Sequence, residues 1–151
     1  VQKKPTTRPL FAALLLALTG CDQLDNCPDA LDPITASDQN STTDLEAMVY
    51  ESTGWNGGFE PFPPNTDVHF VHGLGVQPFL IKTYLSFRDE GTNGARSGDA
   101  TENAGNQARI QCVDDHEIVV ENDTCEEDFF IRVVAVASRN GPTDVPRCTA
   151  N

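Results

Sequence analysis

The segment Val68-His69-Phe70-Val71-His72-Gly73-Leu74-Gly75-Val76-Gln77-Pro78 holds two of the chain's three histidines. An imidazole can act as a general base or a metal ligand, so the first test is spacing. Three residues apart, His69 and His72 point to opposite faces of a strand and do not readily share a metal ion. Gly73-Leu74-Gly75 lacks the later glycine of a dinucleotide-binding loop, and no helical pattern follows it. The segment reads as a tight turn closing a strand, with His72 as a candidate ligand contact. Ser97 lies in Gly94-Ala95-Arg96-Ser97-Gly98, which misses the G-x-S-x-G nucleophile elbow by one position and sits in a polar stretch. No spacing ties a histidine to a serine. The expectation is a protein with no catalytic residues and no cofactor, and therefore not an enzyme.

Two further clusters could bind. The run 112–128, "CVDDHEIVVENDTCEED", offers the hard oxygen ligands that calcium takes. It lacks the D-x-[DN]-x-[DN]-G spacing, and Glu117 and Glu121 share one strand face in the manner of solvated charge. Zinc would favour paired C-x₂-C spacings, and none occurs. No metal ligand is assigned. Residues 51–65, "ESTGWNGGFEPFPPN", gather Trp55, Phe59 and Phe62 among glycines and prolines. Rings on a rigid loop can stack on a sugar or anchor a peptide, and they can equally close a small core. Trp55, Phe59 and Phe62 join His72 as candidate ligand-binding residues.

The elements that would position these groups are strands. Phe79 to Phe87 alternates, with Phe79, Ile81, Thr83, Leu85 and Phe87 on one face and Lys82, Tyr84 and Ser86 on the other. Shorter alternating runs cover 108–112 and 118–120. Phe129 to Ala137 is apolar on both sides except at Arg132, as expected for a central strand covered on both faces. Turn signals separate the runs at Asn56-Gly57-Gly58, Asn93-Gly94, Asp114-Asp115, Asn122-Asp123 and Asn140-Gly141-Pro142. No window beyond residue 20 shows a 3.6-residue apolar period. The fold class predicted is all-β, a small antiparallel sandwich or barrel over residues 48–151. The last three strands are expected to form a meander, and residues 88–107 a long connection without structure.

The N-terminus answers where the protein works. Lys3, Lys4 and Arg8 precede an apolar run from Leu10 to Leu18, about half the length needed to span a bilayer. That is the layout of a secretory signal peptide. Leu18-Thr19-Gly20-Cys21 resembles the lipobox of bacterial lipoproteins. The resemblance implies cleavage after residue 20, acylation of Cys21 and attachment to membrane lipid in the cell envelope, facing the periplasm or the exterior. Residues 21–47 are rich in Asp, Pro, Ser and Thr and read as a flexible tether. His72-Gly73-Leu74-Gly75-Val76-Gln77-Pro78 also resembles segments that close strands in phage tail-fibre and lectin-like β-sandwich modules, which implies a turn.

Cleavage would remove three basic residues and take the net charge from −13 to −16. Such a surface repels nucleic acid, whose binding needs Lys and Arg to displace counterions. With Cys21 acylated, Cys27, Cys112, Cys125 and Cys148 form an even set in an oxidising compartment, which suggests two disulfides. In a meander, Cys112 and Cys125 lie at opposite ends of a strand, beyond disulfide reach. This favours Cys112–Cys148 with Cys27–Cys125. A wide loop over 114–117 would instead permit Cys112–Cys125. The function expected is a lipid-anchored envelope protein with a non-catalytic recognition module for a saccharide or an envelope protein. The alternatives are a purely structural lipoprotein and, less favoured, a calcium-binding module or a hydrolase.

Overall fold

A computed structural model describes residues 27, 29–55, 57–90, 100–103, 105 and 107–148. The segment that reads as a signal peptide, the lipobox-like residues 18–21, and Ser97 lie outside the described residues. Ten strands are present among the described residues: β1 (Ile34–Thr35), β2 (Thr42–Asp44), β3 (Val49–Glu51), β4 (Glu60–Phe62), β5 (Asp67–Val71), β6 (Leu80–Ser86), β7 (Thr101–Glu102), β8 (Ala108–Val113), β9 (Glu117–Asn122) and β10 (Phe129–Val136). The first sheet has the order β1-β5-β9-β8 and the second β2-β3-β10-β6-β7, with β4 also paired to β10. Neither closes into a barrel. The described chain is an all-β sandwich without a helix.

Alternation dictates the core. Val68 and Phe70 of β5 with Ile118 and Val120 of β9 face Phe129, Ile131, Val133 and Ala135 of β10 across the interior, joined by Tyr50, Phe62 and Leu85. Strand β10 lies between β3 and β4 on one side and β6 on the other, in the central position predicted. The alternation of β6 holds in its middle, where Thr83 and Leu85 are buried, and fails at its ends. Phe79 and Phe87 lie beyond the last paired residues and are exposed.

Three expectations change. β9 does not turn back onto β10, so the meander is limited to β8 and β9. Asn122 fastens the crossing: its Nδ2 donates to the carbonyls of Phe62 at 2.8 Å and Glu127 at 3.0 Å, while its Oδ1 accepts from the Thr124 amide. That bonding ties the end of β9 to β4 in the opposite sheet. The tether contributes structure: β1 adds to β5 in parallel and β2 to β3 antiparallel, although both precede residue 48. Finally, β7 interrupts the 88–107 connection by pairing with Tyr84 and Leu85 of β6.

The disulfides are Cys27–Cys125 and Cys112–Cys148. Cys112 lies opposite Val119 within β9, whereas Cys125 lies beyond its last residue, on the connection to β10. The exclusion of Cys112–Cys125 survives the crossover, because it depends only on β9, whereas the expected return of β10 beside Cys112 does not.

Candidate functional site

Strand alternation places Arg132 on the outer face of β10, where a charged side chain would ordinarily project into water. It is instead 3% exposed. The β3–β4 loop explains why. The Ser52 amide donates to the Val133 carbonyl at 2.9 Å, and the Val133 amide donates to Ser52 Oγ at 2.9 Å, which pins the loop's start to β10. Arg132 Nε then donates to the Thr53 carbonyl at 2.9 Å, and Nη2 pairs with Glu51 Oε1 at 3.1 Å. The loop turns through a bond from the Gly57 amide to the Gly54 carbonyl. A β-carbon at Gly57 would lie 2.2 Å from Thr53 Oγ1, so any larger residue there would have to displace the buried Thr53 side chain.

This turn lays Trp55 over Arg132, with the guanidinium 5.0 Å from the indole centroid and 5.6 Å from that of Tyr84. The two rings meet edge to face at 5.7 Å. Each cation–π contact contributes about 0.5–2 kcal/mol, more where water is excluded. Trp55 nevertheless stays 52% exposed. The result is an indole held rigidly at the surface, beside the Tyr84 ring and the partly exposed Glu51 carboxylate. Such a platform can stack against the C–H face of a sugar or take up an apolar side chain of a partner. Arg132 and Tyr84 were not among the sequence candidates. The available signal was that Arg132 is the one polar residue in the apolar run 129–137.

The other candidates lie elsewhere. Phe62 is fully buried opposite Phe129, and Phe59 is buried with its amide bonded to the Asp89 carbonyl at 2.7 Å. Phe62 belongs to the core between the sheets, whereas Phe59 is buried outside that cluster. His72 is also fully buried. Its Nδ1 accepts from the Leu74 amide at 3.1 Å, which places the ring proton on Nε2, facing the Asp114 carbonyl at 3.2 Å. His72 therefore braces the turn through Gly73 and Gly75, both at positive φ, against the β8–β9 turn. Burial holds the imidazole below its ordinary pKa of 6.5, although the Asp114 carbonyl and charge oppose this.

A pH dependence follows from His72. Below pH 6.5 the unfolded chain takes up a proton that the folded imidazole resists, so stability falls until pH reaches the lowered folded value. Melting temperatures measured from about pH 7.5 to 5 should fall more steeply for the native protein than for His72→Gln, which cannot titrate.

The acidic stretch is structural. Asp114 Oδ1 accepts from the amides of His116 at 2.6 Å and Glu117 at 2.7 Å, and Oδ2 accepts from the Cys148 amide at 2.8 Å. Arg147 pairs with Asp115 at 2.9 Å beside it. Asp114, Glu117 and Cys148 converge closely enough for a metal, but the Cys148 sulfur is committed to a disulfide and the Asp114 oxygens to amides. Glu117 and Glu121 do share the outer face of the first sheet. They are paired rather than freely solvated, with His69 Nδ1 at 2.9 Å from Glu117 and Arg109 and Gln111 both bonded to Glu121.

No protein-family model, curated protein or solved structure matches the chain. Fold and site alone therefore define its class: a two-sheet β-sandwich cross-linked by two disulfides. On its outer face it carries an exposed tryptophan seated on a buried arginine.

Proposed function

We propose that this chain is a lipid-anchored cell-envelope protein whose sandwich recognises a saccharide or an envelope protein without catalysing a reaction. The observation that carries the reading is Trp55, half exposed yet fixed in place by Arg132 and Tyr84. A tryptophan serving only the core would be buried, and a chance surface ring would not be clamped over a desolvated guanidinium. The anchor rests on the lipobox-like residues 18–21. The non-catalytic reading draws support from the histidines, since both ring nitrogens of His72 are engaged by backbone groups and His69 Nδ1 by Glu117.

Trp55 is the chain's single tryptophan, so intrinsic fluorescence reports on the site directly. An oxidised soluble form beginning at Asp22 should show a fluorescence change with one class in a panel of envelope saccharides. At one hundred times its dissociation constant that ligand should stabilise by about 2.7 kcal/mol. Trp55→Ala should abolish the thermal shift while changing the melting temperature of the free protein by only a few degrees. Fluorescence unmoved by every saccharide and by envelope extracts would leave a structural role as the account of the sandwich.

A further inference from the structure

A cleft of about 410 Å³ opens beside the Trp55 platform, between the edge of β6 in the second sheet and the edge of β8 in the first. On this side β6 is paired only toward its far end. There β7 takes Tyr84 and Leu85, and the Asn103 amide donates to the Thr83 carbonyl at 2.9 Å. Among the described residues no strand covers Leu80 to Lys82 on that side, and the gap is the cleft. Its volume lies in the range of about 300–1,000 Å³ usual for small-molecule sites. Cleft and platform share a border. Tyr84 stands opposite Arg132 on one side and Glu102 on the other, and Glu102 pairs with Lys82 at the cleft's rim. With neighbouring strands about 4.8 Å apart, Arg132 under Trp55 and Glu102 are separated by roughly 10 Å, within the length of a short oligosaccharide.

Two properties of the lining bear on what it takes up. Charge is cancelled locally: Lys82 pairs with Glu102 and Arg109 with Glu121, as Arg132 does with Glu51 on the platform. An anionic ligand would find each of these cations already matched, on a chain whose net charge is −13. The lining therefore favours an uncharged ligand. The second property is an unmet acceptor. Asn103 lines the cleft, and its Nδ2 donates to the Ala108 carbonyl at 2.9 Å, which fixes the orientation of the amide. Its Oδ1 is buried without a hydrogen-bond partner. A buried acceptor left in that state is costly, and a donor on a ligand would offset the cost. Much of the remaining wall is aliphatic, with Leu80 and Ile110 each 42% exposed. An acceptor beside an aliphatic wall suits an N–H carried next to a methyl group, which on a sugar is the acetamido group.

We propose that this cleft is a second subsite of the recognition face, taking the acetamido group of an uncharged N-acetylamino sugar whose neighbour in the chain stacks on Trp55. This rests on the saccharide reading of the Trp55 platform. Asn103 Oδ1 accepts the ligand N–H, Leu80 and Ile110 pack against its methyl group, and the Lys82–Glu102 pair meets the hydroxyls between the two subsites.

Calorimetric titration of the full-length, oxidised chain tests the subsite with the β-1,4-linked tetramers of N-acetylglucosamine and of glucose. The two share a linkage and differ in the acetamido groups. The acetamido tetramer should bind about ten-fold more tightly, the scale of one hydrogen bond gained. Ile110→Tyr, which fills the cleft from an exposed position, should remove that preference while the glucose tetramer still binds. Trp55→Ala should abolish binding of both. Affinity should hold between about 0.05 and 0.5 M salt, a range over which recognition of charge is screened. Equal binding of the tetramers by the native protein overturns the subsite and leaves the platform, and that comparison needs no variant to fold. A preference that persists in folded Ile110→Tyr, or an affinity lost to salt, overturns it in the same way. Binding of neither tetramer also overturns the subsite. In that case a Trp55 fluorescence response to an envelope protein preserves the recognition reading, whereas no response to any ligand removes both.

Discussion

Replacing Phe62 with alanine is expected to destabilise the protein by about 3–5 kcal/mol, the range for emptying a buried aromatic site. Phe62 is fully buried on β4, opposite Phe129, where β4 meets β10. Its carbonyl also accepts from Asn122, so a shift of β4 to fill the cavity would disturb the crossing between the sheets. Collapse is thereby limited, which places the expected cost toward the upper part of the range. For a domain of this size the loss corresponds to a melting temperature lower by roughly 10–20 °C. Trp55→Ala, only seven residues away, should leave a single transition close to that of the native protein. A scan of both variants by circular dichroism checks the pair. Equal losses at the two positions would assign Trp55 to the fold and remove the basis for a recognition site.

The second large effect concerns Asp114. Its carboxylate accepts three backbone amides, from His116, Glu117 and Cys148. Asp114→Ala would strand those donors at a buried turn, each costing about 1–3 kcal/mol if water cannot reach it. Allowing for partial hydration, the expected loss is about 3–5 kcal/mol, with Asp114→Asn intermediate because it retains one acceptor oxygen. Burial opposes the Asp114 charge, yet the amides of Cys148, Glu117 and His116 together with Arg147 outweigh it and hold the carboxyl below its ordinary value of 3.8. A lowered folded value means the stabilisation is complete above pH 3.8 and is lost as pH falls through the folded value. Buried Glu60 acts in the opposite sense, since burial raises its carboxyl pKa despite the Ser37 amide. Acid titration of stability should therefore be steeper for the native protein than for Asp114→Asn in the most acidic range. Added calcium should leave the Asp114 variants no less affected than in chelator. Protection of the native protein by calcium, lost in Asp114→Ala, would instead support the metal site that the hydrogen bonding argues against.

Much of this architecture is legible in the residues. The run 129–137 is apolar on both sides because β10 is flanked by strands and has one face in the core and the other under the Trp55 loop. The period-two pattern excludes helices, and β9 is long enough to keep Cys112 from Cys125. The site was only partly legible. Trp55, Phe59 and Phe62 are similar in type and lie within eight residues. Nothing local says which ring enters the core, because that depends on which strand edge of β10 the segment joins. His72 poses the same problem: its neighbours in sequence supply one hydrogen bond, and the other comes from Asp114, 42 residues away.

The sequence alone determined the periods, the turns, the four cysteines beyond residue 21 and the strongly acidic composition, since each follows from residue type and spacing along the chain. Only tertiary structure decided that the chain crosses after β9 to β10 in the second sheet, that residues before 48 add strands to both sheets, and that Arg132 is roofed by Trp55 and Tyr84. These outcomes depend on contacts between residues far apart in the chain. Arg132 and Thr53 are 79 residues apart. Their energies exist only once the two sheets have packed.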